Sequence, residues 1–134
     1  MEADNTSKII ETTRVGIFTH SLREDGILEV FVSGDEEMTV EGLIESNSMA
    51  SQMMNYKRTP VVITFDRFAL PSLEVRQYWA KAEVAPFTKA EAFLVNYLGH
   101  KLMVDFYHKV NKPKRPTKIF TDKCEAIAWL KTFL

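Results

Sequence analysis

TPVVITFD, at residues 59–66, is nearly all apolar from Val61 to Phe65. A strand with one wet face alternates polar and apolar residues, whereas a continuous apolar run is the mark of a strand covered on both faces. That places VVITF in the middle of a parallel sheet. Its flanks agree. Upstream, Thr39 caps a helix whose Val40, Leu43, Ile44, Asn47, Ala50 and Met54 recur at helical spacing, and Tyr56 to Pro60 break it. Downstream, Asp66-Arg67 and Pro71 make a short loop, and Ser72 opens a helix with Leu73, Val75, Tyr78, Trp79 and Ala82 on its apolar side, closed by Ala85-Pro86-Phe87. A strand between two helices in this way is the repeating unit of an α/β fold.

Working outward, Ile9 to His20 reads as one strand, SLREDG as a turn with Asp25-Gly26 at its tip, and Ile27 to Val32 as the antiparallel partner. Ala90 to Asn96 reads as a further strand. Leu98 to Val110 follows as a helix with Leu102, Met103, Phe106 and Val110 inward. A proline-punctuated connector, Asn111 to Pro116, leads to a short strand, Thr117 to Phe120. Thr121 then caps a terminal helix with Ala126, Ile127, Leu130 and Phe133 or Leu134 inward. The order is ββαβαβαβα in one domain over residues 1–134, with residues 1–8 expected to be flexible and the later strands joined by right-handed crossovers.

The 134 residues suffice for one core without a metal or disulfide. No apolar run approaches the 18 or so residues of a membrane span, the acidic start MEADN is unlike a signal peptide, and the single cysteine, Cys124, suits a reducing compartment. These point to the cytoplasm. Charge is uneven: residues 1–56 hold eleven acidic against three basic side chains, and residues 57–134 hold fourteen basic against seven acidic.

Little in the sequence is catalytic. The glycines form no phosphate loop, and His100 and His108 are too far apart along one helix for the usual chelate, so we expect no cofactor, no metal site and exposed or capping histidines. Asp66 and Arg67 stand at the C-terminal end of a central parallel strand, where open α/β sheets bind ligands. An enzyme would need a pocket joining that pair to a histidine. Lys109, Lys112, Lys114 and Arg115 form a basic cluster suited to an anionic lipid headgroup or an acidic partner surface; nucleic acid is not expected, because interleaved stacking residues are missing. Tyr78 and Trp79, adjacent on one helix, cannot both enter one core, and with the apolar first hairpin they suggest a homodimer interface. Met49 and Met53 beside the first helical stripe read as core filling or as an adaptable surface.

Five stretches, RVGIF, LREDGILEVFV with MTVEGLIES, TPVVITFD, AFLV with LMVDFYHKVNKP, and PTKIFTDKCEAIAWL, together resemble the STAS/SpoIIAA-like superfamily, and in particular its uncharacterised bacterial branch. The resemblance implies a SpoIIAA-like mixed sheet flanked by helices, no cofactor, and a role through binding to a protein partner. It implies also that the start of the helix after the strand VVITF is where antagonist members carry a phosphorylated serine or threonine. Ser72 falls near that place, but in Leu70-Pro71-Ser72-Leu73 the preceding acidic residue and the following glycine of that motif are absent. A helix cap is the competing role for Ser72. Distant folds of this kind resemble lipid-transfer proteins of the Sec14 type, so a carrier of a small apolar ligand is the alternative; Met49, Met53, Phe68, Trp79, Phe106 and Tyr107 are the residues that suggest it.

Overall fold

The computed structural model describes residues 7–81 and 85–134, so Ala82 and most of the flexible lead-in expected at residues 1–8 lie outside the described residues. Among the described residues six strands form one mixed sheet in sequence order, β1-β2-β3-β4-β5-β6. They are β1 (Ile9–Val15), β2 (Phe18–Arg23), β3 (Leu28–Val32), β4 (Thr59–Phe65), β5 (Thr88–Leu94) and β6 (Thr117–Phe120). The first two pairings are antiparallel, and β3 to β6 run parallel. The helices are α1 (Val40–Met53), α2 (Leu73–Trp79), α3 (Leu98–Phe106) and α4 (Lys123–Lys131), and α3 runs on into a π-helical turn over Tyr107–Asn111. The α/β class, the hairpin start and the terminal helix are those expected from the sequence.

The stretch read as one strand from Ile9 to His20 is folded back on itself. Gly16 adopts φ +58° and, with Ile17, makes a two-residue turn that pairs Val15 with Phe18. A positive φ at the first central position suits the strand twist, and glycine takes it without strain. The expected turn is shorter than SLREDG, since Ser21 to Arg23 belong to β2, and Gly26 at φ +92° closes it.

β4 is covered on both faces, as its composition requires. Val61, Ile63 and Phe65 join Leu43 and Ala50 of α1, Val75 and Trp79 of α2, and Met103 and Val104 of α3 in the larger core. Val62 points the other way, with Ala90 and Ala92, onto Ala126, Ile127 and Leu130 of α4. Three crossovers that step the same way across the sheet put α1, α2 and α3 on one side. α4, which follows the last strand, takes the other.

Two helical faces differ from expectation. On α1 the buried residues are Leu43, Ser46, Ala50 and Met53, with Met49 packed against the core, while Ile44 is exposed. The methionines are therefore core filling. On α3 and its π turn, His100, Met103, Val104 and Tyr107 are buried, leaving Leu102, Phe106 and Val110 outside. The reason is polar. His100 hydrogen-bonds Ala69 O and Tyr107 hydrogen-bonds a buried carboxylate, so the face carrying both tethers turns inward although the neighbouring face has more apolar side chains.

Candidate functional site

The loop joining β4 to α2 is built on Asp66. Its backbone N–H donates to Val32 O at 2.8 Å, prolonging the β3–β4 ladder. Its carboxylate accepts from Gly34 N (3.2 Å) and Arg67 N (2.7 Å), tying the loop after β3 to the loop after β4. Gly34 permits this approach: a Cβ there would stand 3.0 Å from Asp66 Oδ2 and from the Phe68 backbone. Asp66 is a structural clamp in this arrangement.

Arg67 is exposed, with its guanidinium carbon 5.8 Å from the ring centres of both Phe68 and Tyr97. That distance is in the cation–π range and links the β4–α2 loop to the segment entering α3. Ser72 is the N-cap of α2: its Oγ accepts from Val75 N at 3.3 Å. Around these residues large apolar side chains face solvent. Phe68 is 77% exposed, and Leu70, Leu73 and Tyr97 are each about half exposed. His100 lies beneath, stacked 5.4 Å from Phe65, with its Nε2 held by Ala69 O at 2.6 Å. The loop does join Asp66, Arg67 and a histidine, yet the imidazole is buried and committed to the backbone.

A second cluster lies in the core under α2 and α3. Glu91 of β5, fully buried, accepts from Trp79 Nε1 (3.2 Å), Tyr107 OH (3.0 Å) and Thr117 Oγ1 (2.8 Å), and Arg115 Nε stands 3.3 Å from its Oε1 as an ion pair without hydrogen-bond alignment. The Arg115 guanidinium also donates to Trp79 O and Lys81 O. Burial, and then the Glu91 charge, push the Tyr107 phenol far above its ordinary pKa. The network pins the connector before β6 onto α2.

A family model described as "Domain of unknown function (DUF7793)" matches residues 21–134. The chain belongs to the DUF7793 family. No curated protein and no solved structure matches it. The matched region takes in the Asp66 clamp, the exposed loop and the Glu91 network.

Other residues of the DUF7793 domain sort as follows. Arg115, read as part of the basic surface, is buried by its ion pair, so the cluster comes down to Lys109, Lys112 and Lys114, with Lys109 paired to Asp105 at 3.1 Å. Trp79, read as an interface residue, is in the core, where its indole N–H finds Glu91; Tyr78 is half-buried against it. Two histidines expected at the surface or at caps are buried. His20 Nδ1 lies 3.3 Å from Thr13 O, so it carries the proton, and Nε2 accepts from Ser46 Oγ at 2.7 Å. Burial lowers the His20 pKa, opposed by the Thr13 hydrogen bond. Among the described residues no three His, Cys, Asp or Glu come together as a metal site, and no helix is long and apolar enough to cross a membrane. Asp122, one residue after the expected Thr121, caps α4 by accepting from Cys124 N at 2.9 Å.

Composition alone could not point to Glu91, but the run AEAFLV offers a signal: a lone carboxylate in an apolar strand needs buried donors.

Proposed function

We propose that this domain is a non-enzymatic binding or regulatory module of the STAS-like type, acting in the cytoplasm through protein–protein contact, and that Arg67, Phe68, Leu70 and Leu73 form the contact. The observation that carries the reading is the exposed apolar group at the C-terminal ends of the parallel strands, centred on Phe68. Contiguous exposed apolar side chains rimmed by charge favour a partner, since burying them gains about 25 cal/mol per Å² of apolar surface. The scaffold beneath is rigid, with Asp66 clamping two loops and Ser72 capping α2. A phosphate on Ser72 would set a negative charge at the N-terminus of α2, where the helix dipole favours it, beside the exposed apolar side chains, which gives the loop a route to regulation. A homodimer and an anion contact at Lys109, Lys112 and Lys114 belong to the same proposal.

The alternative, a carrier of a small apolar or lipid-like ligand, would need interior space. The crevices against the core, one beside His20 and Ser46 and one beside Phe65 and Tyr107, measure about 30 and 10 Å³. Ligand sites run to about 300–1,000 Å³. The test is affinity purification from native cells of the parent chain and of Phe68→Ser/Leu70→Ser, with melting temperatures compared. Loss of a stoichiometric partner at unchanged stability supports the reading; a partner retained by the variant opposes it.

A further inference from the structure

β6 is an edge strand with an unusual setting. Its ladder with β5 uses Pro116 O and Phe120 O, which accept from Glu91 N and Val95 N at 2.9 Å. In a parallel pair alternate residues bond the same neighbour, so the N–H and C=O groups of Thr117 and Ile119 face away from β5. Beside this edge lies a groove of about 900 Å³ whose floor is β6 from Lys118 to Phe120 and whose walls are α3 and α4. Leu98 (72% exposed) and Leu102 (61% exposed) stand on one wall, and half-buried Trp129 on the other.

The charges in the groove decide what fits it. Lys101 and Asp105 lie on the α3 wall, with Lys118 on the floor and Glu125 on the α4 wall. Two positive and two negative groups make it neutral. Lys101, Lys118 and Glu125 have no ionic partner among the described residues. A strongly charged peptide gains nothing from such a groove, whereas a surface carrying both signs in order along one helix is complementary to its own reverse.

We propose that β6 pairs antiparallel with β6 of a second copy about a two-fold axis, with α3 packing against α3 of that copy. This rests on the homodimer reading above and names its surface. The axis brings Leu102 against its own copy and reverses the order of charges. With the axis at residue 102 or 103, Lys101 of one copy and Asp105 of the other are offset along the helices by at most two residues, about 3 Å of rise. Each open backbone group on β6 finds a partner, as an isologous contact requires. The other sheet edge is less suited: β1 carries a bulge between Ile9 and Glu11, which interrupts pairing.

The test is light scattering of the full chain over a concentration series, with Leu102→Asp, Lys101→Glu and the exchange Lys101→Glu/Asp105→Lys, each checked for an unchanged circular dichroism spectrum. The parent is expected at twice the 15.4 kDa of one chain. Leu102→Asp and Lys101→Glu should fall to one chain's mass, and the exchange variant should return to two. A dimer indifferent to Leu102→Asp and Lys101→Glu would overturn this surface while leaving the homodimer standing. A monomer at every concentration would overturn both.

Discussion

Replacing Glu91 with leucine probes the buried network most sharply. The leucine removes the acceptor for two buried donors, Trp79 Nε1 and Tyr107 OH, and for the half-buried Thr117 Oγ1, which keeps Arg115 O, and it leaves the Arg115 guanidinium in the core with no opposite charge among the described residues. An orphaned buried donor costs about 1–3 kcal/mol, and breaking a buried ion pair about 3–5 kcal/mol; the contributions overlap, so about 3–5 kcal/mol is expected in all. Against a typical total of about 5–15 kcal/mol that is a large fraction. With a urea slope of about 2 kcal/mol per M, the midpoint should fall by roughly 2 M. The assay is urea unfolding followed by tryptophan fluorescence, run as a double-mutant cycle with Arg115→Met. The double variant should be less destabilised than the sum of the singles, because removing both charges leaves no uncompensated ion. A Glu91→Leu loss under about 1 kcal/mol, or singles that add to within about 0.5 kcal/mol, would rule out a coupled buried pair at Glu91 and Arg115.

Three shorter predictions follow from the same geometry. Ser72→Ala removes the α2 cap and should cost about 1 kcal/mol in chemical denaturation, leaving partner binding intact. Gly34→Ala forces a methyl to within 3.0 Å of Asp66 Oδ2 and Phe68 and should cost about 1–3 kcal/mol, with partner binding weakened as the two loops part. His20 is held neutral by burial, so its folded pKa is below the unfolded value of 6.5. Below pH 6.5 the unfolded chain takes up a proton that the folded chain refuses, and stability should fall as the pH drops from 6.5 toward the folded pKa. The slope of urea midpoint against pH should flatten in His20→Gln.

The parts of the fold that follow from one periodicity were legible in the sequence. VVITF is nearly all apolar because helices cover both its faces, and Thr39 and Thr117 to Phe120 mark boundaries that the structure keeps, while the break read at Tyr56 to Pro60 is cut short, since β4 begins at Thr59. What escaped depends on long-range partners. Gly16 looks like a residue within a strand until Val15 is seen to pair with Phe18. α3 has two apolar faces, and the choice between them is made by Ala69 O and Glu91, 31 and 16 residues away in the chain. Arg115 is one of several cations in KPKRP, and only Glu91 sets it apart. At the candidate site Asp66, Arg67 and Ser72 were visible as a loop at a strand end. The exposure of Phe68 and Leu70, which turns that loop into a surface, required the packed structure, because an apolar residue in a sequence reads as core by default.

Contact between the Phe68 surface and a protein partner is proposed above. Its most direct measurement places a photocrosslinking amino acid at position 68 in native cells, with position 12, on exposed β1, as the control, and identifies adducts by mass spectrometry. One discrete protein adduct is expected at position 68 and none of the same mass at position 12. The same adducts at both positions, or none at position 68, would contradict it.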